Sequence, residues 1–282
     1  MIRRSLASLI IVSLMSPAFA AAEKTVSPPP DLAFGAYQRG DYATAMSEAK
    51  KRIAANPKDA PALTLIAQLY LEGAGVKRDS QQALEWFQRA AGAGGKEAAY
   101  LYGVATLQGR DTQKDRVRAK AYLEKAAAQD HPAALQLLGE MALENEGAPS
   151  DFVKAQSYFQ RAADGGNADA IYALGVLYKT GKGVPKDERK AADLFKRAAD
   201  LGITSAMVEF AILQFNGVGV DRDRIAAAEL MHKAAMKGNA VGQNRYAHML
   251  AEGLGVEINV TEARHWRDKA RAAGLNDPSL DY

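Results

Sequence analysis

The sequence predicts an all-α protein, a solenoid of antiparallel helix pairs, and three observations predict it. A large, mostly aromatic residue returns every 36 residues, at Trp86, Tyr122, Tyr158, Leu194, Leu230 and Trp266, with no insertion or deletion between them. Alanine keeps the same step three residues earlier (Ala83, Ala119, Ala155, Ala191, Ala227, Ala263) and four residues later (Ala90, Ala126, Ala162, Ala198, Ala234, Ala270). Each unit is punctuated by Gly73, Gly109, Asn145, Gly181, Gly217 or Gly253, and two residues on by Gly75, Asp111, Gly147, Gly183, Gly219 or Gly255. Self-similarity at such a period marks stacked supersecondary units, each too small to bury its apolar face alone.

The fourth unit justifies each element in order. Ala170, Leu174, Leu177 and Tyr178 form one apolar stripe at helical spacing, which predicts the first helix. Gly181 ends it where the backbone turns left-handed, a conformation glycine and asparagine tolerate best. The joint runs through Gly183, with Val184 expected to tuck between the helices. Asp187, in a column with Asp79, Asp115, Asp151, Asp223 and Asn259, is read as the N-cap of the second helix. Gln82 and Glu262, three residues after their caps, are expected to complete capping boxes. The second helix places Ala191, Leu194 and Ala198 on one face, and Gly202 ends it. "TGKGV", residues 180–184, is therefore a helix joint. It is not a phosphate loop, because Lys182 is followed by Gly183 where a P-loop needs Ser or Thr.

The ends differ from the repeats. "MIRRSLASLIIVSLMSPAFA" has Arg3 and Arg4, an apolar run from Leu6 to Met15 and the pattern Ala18-Phe19-Ala20, which predicts a secretory signal peptide over 1–20 and export to a bacterial periplasm. That run is too short for a comfortable bilayer crossing, which takes about 20 residues, and no later run is longer. Residues 21–30 end in three prolines and read as an extended tether. Residues 31–61 read as a further helix pair with a short turn at Gly40, six repeats fill 62–277, and 278–282 form a polar tail. The net charge of +3 owes two cations to the signal peptide, leaving the mature chain close to neutral at about +1. A nucleic-acid footprint would need a strongly basic face, and Lys50-Lys51-Arg52 reads as a solvated helix edge. The chain has no cysteine, so it folds without disulfides and carries no lipid-anchoring thiol.

The run Leu-Gly-x-x-Tyr-x-x-Gly-x-Gly-Val-x-x-Asp-x-x-Lys-Ala, followed by Ala198-Ala199 and Gly202, resembles the Sel1-like repeat, a branch of the tetratricopeptide superfamily, almost throughout residues 174–202. Residues 31–57, with Gly40-Asp41-Tyr42 and Asn56-Pro57, resemble an ordinary tetratricopeptide pair. The resemblance implies a right-handed superhelix whose first helices line a concave side. The joints "LQGRDTQKD" and "LENEGAPSD" depart from the pattern, which predicts less regular geometry there.

No catalytic or metal-binding constellation is present in the sequence. It lacks G-x-S-x-G and H-E-x-x-H elements, and without S-D-N it lacks the full S-x-x-K, S-D-N and K-T-G set of a penicillin-recognising enzyme. The columns of His232 and His265 are polar, which predicts exposed histidines without a ligand role. Cysteine-rich relatives linked to β-lactam binding do not extend to a chain without cysteine. The expected function is a binding module or adaptor for a protein or peptide, with no cofactor; an enzyme or accessory factor acting on cell-wall material is the alternative. Carried onto this chain, the family's ligand-facing columns give Tyr100, Val104, Leu107 and Gln108, then Gln136, Glu140, Leu143 and Glu144. They continue with Tyr172, Val176, Lys179 and Thr180, then Val208, Ile212, Phe215 and Asn216. Tyr100, Tyr172 and Phe215 are the expected anchors, unless they pack against the neighbouring unit. Lys179 is the one cation of the set, which argues against a clamp for a terminal carboxylate.

Overall fold

The computed structural model describes residues 31–144 and 149–275. The expected signal peptide, tether and polar tail, and the joint residues Asn145 and Gly147, lie outside the described residues. An N-terminal pair, α1 (Leu32–Gln38) and α2 (Tyr42–Ala55), precedes α3 (Ala60–Glu72) and α4 (Ser80–Gly92). Then come α5 (Lys96–Gln108) with α6 (Arg116–Ala127), and α7 (Pro132–Glu144) with α8 (Phe152–Asp164). The stack closes with α9 (Ala168–Thr180) and α10 (Glu188–Asp200), α11 (Thr204–Asn216) and α12 (Arg224–Met236), α13 (Ala240–Glu252) and α14 (Val260–Ala272). Each helix packs chiefly on its chain neighbours, and no strand occurs among the described residues. This is an all-α solenoid whose main core runs from α3 to α14, with separate clusters between the N-terminal pair and α3 and between α10 and α11.

Each punctuating residue has a local cause. Gly73, Gly109, Gly181, Gly217 and Gly253 close the first helices with φ near +70°. The following cap column holds the second helix: Asp79, Asp115, Asp151, Asp187 and Asp223 each accept a hydrogen bond from the backbone N–H three residues on, as does Asn259. The expected capping boxes do not close. The N–H that a box would satisfy is already spent on the preceding helix: Asp79 N–H donates to Tyr70 O at 2.9 Å, and Asn259 N–H to Leu250 O at 2.9 Å. Glu262 instead accepts from the Asn259 and Trp266 side chains. Between units, Asn167, Ile203 and Asn239 N–H reach back to Ala162, Ala198 and Ala234 O in Schellman turns, with positive φ at Gly166, Gly202 and Gly238.

The second joint glycine answers a different demand. A Cβ on Gly183 would lie 2.6 Å from Phe152 O, at the start of the preceding unit's second helix. Gly75, Gly219 and Gly255 meet Tyr42, Glu188 and Arg224 in the same way. Lys182 lies 5.2 Å over the Phe152 ring, so the "TGKGV" lysine covers an aromatic face. In the second unit Asp111 fills this place at φ +53°, and an open cleft of about 720 Å³ separates its joint from that of the first unit.

One charged group departs from expectation. Arg52 is not a solvated edge residue: its guanidinium grips Asp59 through two 2.9 Å bonds and also pairs with Asp31, tying α2 to both α1 and α3. His131 is buried. It caps α7, its Nδ1 accepting from Ala134 N–H at 3.2 Å while Nε2 faces Glu97 Oε2 at 2.9 Å.

Candidate partner-binding face

The eight expected site residues stand on three first helices: Tyr100, Val104 and Leu107 on α5; Tyr172, Val176 and Lys179 on α9; Ile212 and Phe215 on α11. All eight are half-buried. The repeated alanines of the same helices, Ala98, Ala134, Ala170 and Ala206, are wholly buried. Stacking thus consumes the columns that recur and leaves partial access to those that vary between units.

The individual environments differ. Tyr100 stacks on His131 with ring centres 4.5 Å apart, and Tyr172 tilts against Phe195 at 5.7 Å. Burial pushes both phenols up, reinforced by Glu97 beside Tyr100 and Glu209 beside Tyr172. Both rings therefore engage a neighbouring helix while keeping one side accessible. Lys179 is ion-paired with Glu209 of the next unit. Val208 is withdrawn altogether, at 6% exposure within the core, because its side chain turns into the packed interior rather than outward. On α7, shielding pushes the Glu140 carboxyl up, with Glu144 and Asp169 adding repulsion, and Gln136 donates to it.

The structure brings Ile212 and Phe215 together in one cleft. Ala211, Met231, Met249 and Leu254 complete its apolar lining, with Asn216, Arg245 and His248 beside them, and its volume is about 160 Å³. Leu107 borders a second cleft of about 260 Å³ with Leu137, Met141, Glu140 and Glu144. Tyr100, Val104, Tyr172 and Val176 line neither. His248 lies 36 residues after Ile212, so the same column step reaches it. Arg245 belongs to a column the family pattern does not flag, and only the packing of α13 on α11 reveals it.

One histidine expectation needs correction beside this cleft. His232 is half-buried, stacked on Tyr246 at 4.6 Å with Trp266 edge-on at 5.7 Å, because α13 and α14 close over its column. His248 is half-buried, with Glu252 at 3.7 Å. His265 is exposed. Among the described residues, no group of three or more His, Cys, Asp and Glu side chains is placed to hold a metal, and no helix is long and apolar enough to cross a membrane.

Helix pairs, left-handed joint glycines and small-residue crossings define a class, the tetratricopeptide-like α-solenoids. Within it the Sel1 repeat model matches residues 60–95, 96–131, 132–167, 168–203, 204–239 and 240–275, and the chain belongs to that family. It is similar to a Sel1 repeat protein of Oxalobacter formigenes (26% identity, TM-score 0.72, covering 87% of this chain and 96% of that one). It is also similar to c5321, a protective antigen of uropathogenic Escherichia coli with the same repeat fold (28% identity, TM-score 0.74, covering 82% of this chain). The match takes in 49% of the Escherichia coli chain, about half its length. No curated protein matches significantly.

Proposed function

We propose that the chain is a periplasmic adaptor or regulator that binds a protein or peptide on the concave side of its superhelix. One observation carries this reading: half-exposed apolar side chains that differ from unit to unit lie along α5, α9 and α11, while the recurring positions beside them are sealed in the core. Repeat solenoids present such extended surfaces to macromolecular partners, and mixed tyrosine, valine, isoleucine and phenylalanine suits apolar pockets for a peptide. The first 20 residues supply the compartment through the pattern of a cleavable signal. Crosslinking in intact cells followed by capture of the tagged protein tests the reading. The wild type is expected to retain a specific envelope partner, and the variant carrying Tyr100→Ala, Tyr172→Ala and Phe215→Ala to lose it with helical content unchanged. Normal capture by that variant overturns the assignment of this face. N-terminal sequencing of the protein released by osmotic shock is expected to begin at Ala21, and a chain beginning at Met1 overturns the compartment.

A further inference from the structure

The cleft between α11 and α13 joins two features. The first is an apolar seat. Ile212, Phe215, Met231, Met249 and Leu254 surround about 160 Å³, close to the ~150 Å³ of an apolar cavity that holds a benzene ring. Its wall is held from behind: Arg224 lies 4.9 Å over the Phe215 ring, and the Asn216 amide turns back to donate to Ile212 O at 2.9 Å. A seat braced in this way loses little freedom on filling.

The second feature is an uncompensated cation. Arg245 is exposed at the edge of the seat and forms no ion pair among the described residues. The carboxylates of neighbouring first-helix positions are committed elsewhere: Glu209 to Lys179, and Glu252 beside His248. A guanidinium next to an apolar pocket favours a ligand that brings its own carboxylate, since a planar fork binds that group through paired hydrogen bonds.

We propose that this cleft seats one leucine-sized or phenyl side chain of a partner peptide and that Arg245 binds an acidic residue adjacent to it in the peptide. The assignment rests on the reading of the chain as a peptide-binding module and adds the chemistry of the bound segment. It differs from a clamp for a chain terminus, because a single cation beside an apolar seat suffices for an internal acidic side chain.

Met231 and Met249 line the seat, so methyl-labelled methionine provides a local readout by NMR, with Met46 and Met141 as remote controls. The mature chain is titrated with the blocked peptide acetyl-Gly-Leu-Glu-Gly-amide and with its Leu-Gln counterpart. The Leu-Glu peptide is expected to shift the Met231 and Met249 methyls saturably, and the Leu-Gln peptide to bind about tenfold more weakly, the worth of one charge-assisted hydrogen bond. Arg245→Gln, at an exposed position, is expected to make the two peptides equivalent. Equal binding of both peptides to the wild type overturns the role of Arg245. A shift at Met141 with none at Met231 and Met249 overturns the seat and leaves peptide binding standing. No shift at any methionine also overturns the seat, and the crosslinking capture then decides the wider reading independently.

Discussion

At position 175 a glycine lies beneath the ring of Phe195, and a Cβ there would come within 2.7 Å of it. Gly139 lies under Phe159 in the same way, whereas Gly103 faces the branched tip of Leu123 at 3.0 Å. Alanine is ordinarily the better helix former by about 1 kcal/mol, so the sign of a substitution here reports packing. Gly175→Ala is expected to destabilise by about 1–3 kcal/mol in urea denaturation, as overpacked cores do, and Gly103→Ala by less, because a leucine can rotate aside. Adding Phe195→Leu to Gly175→Ala is expected to recover part of the loss; no recovery would place the strain elsewhere. The Leu-Gly glycine of the motif was legible in the sequence, but its partner was not. In the conspicuous 36-residue column Trp86, Tyr122 and Tyr158 are half-exposed, each ring covered by a cation (Arg89, Lys125 and Lys154), while Leu194 and Trp266 are buried. The buried knobs Phe87, Phe159 and Phe195 lie one residue later. Periodicity gives spacing along a helix and leaves open which of two adjacent apolar columns faces inward.

Among elements, the second helices turn a recurring alanine face inward. Ala198 is wholly buried and Lys196 exposed, so Ala198→Leu is expected to lower the melting temperature far more than Lys196→Leu, and equal shifts would refute the assigned faces. The N-terminal pair is held differently, through Arg52. Burial alone would raise the Asp59 carboxyl, but hydrogen bonds from Arg52 and from Ala62 N–H outweigh it and leave the group below its usual 3.8. Asp31 is lowered likewise by Arg52 and by Phe34 N–H, against burial. Stabilisation from groups lowered in this way is complete above the ordinary carboxylate range and is lost as pH falls through their folded values. Acidification is therefore expected to release α1 and α2 before the repeats, seen as faster amide exchange in residues 32–55. Asp59→Asn keeps a capping side chain but removes the charge, and is expected to give early exchange already at neutral pH. Exchange unchanged by the substitution would show that the ion pair does not hold the pair in place.

Over the whole molecule, the architecture was legible because 36 residues recur without a gap and the units repeat their caps, small crossings and joint glycines, with Asn145 and Asp111 as the two exceptions among the glycines. The candidate face was legible only as columns. Ile212 and Phe215 acquire a cleft through Met231 of α12 and Arg245 of α13, contacts that depend on how three helices meet and leave no mark at a fixed spacing. Near-equivalent units also predict a tolerance: deleting residues 168–203 joins Asn167 to Thr204 in register. The shortened chain is expected to keep its helical content per residue and to melt cooperatively at a lower temperature. Collapse of helical content would show that units are not interchangeable.

Among the described joints, Gly75, Gly183, Gly219 and Gly255 bring their unit's main chain onto the start of the preceding unit's second helix, and Asp111 breaks this series with an open cleft beside it. Considered as a spring, the solenoid has, among its described joints, stiff coils where backbone rests on backbone and a compliant coil between α4 and the Asp111 joint. A molecule stretched between its ends in an optical trap is expected to yield first at that coil, shedding α1 to α4 as one step before the remainder extends. Asp111→Gly is expected to raise the force of that first step towards that of the others, and a first rupture elsewhere would locate the compliance in another seam.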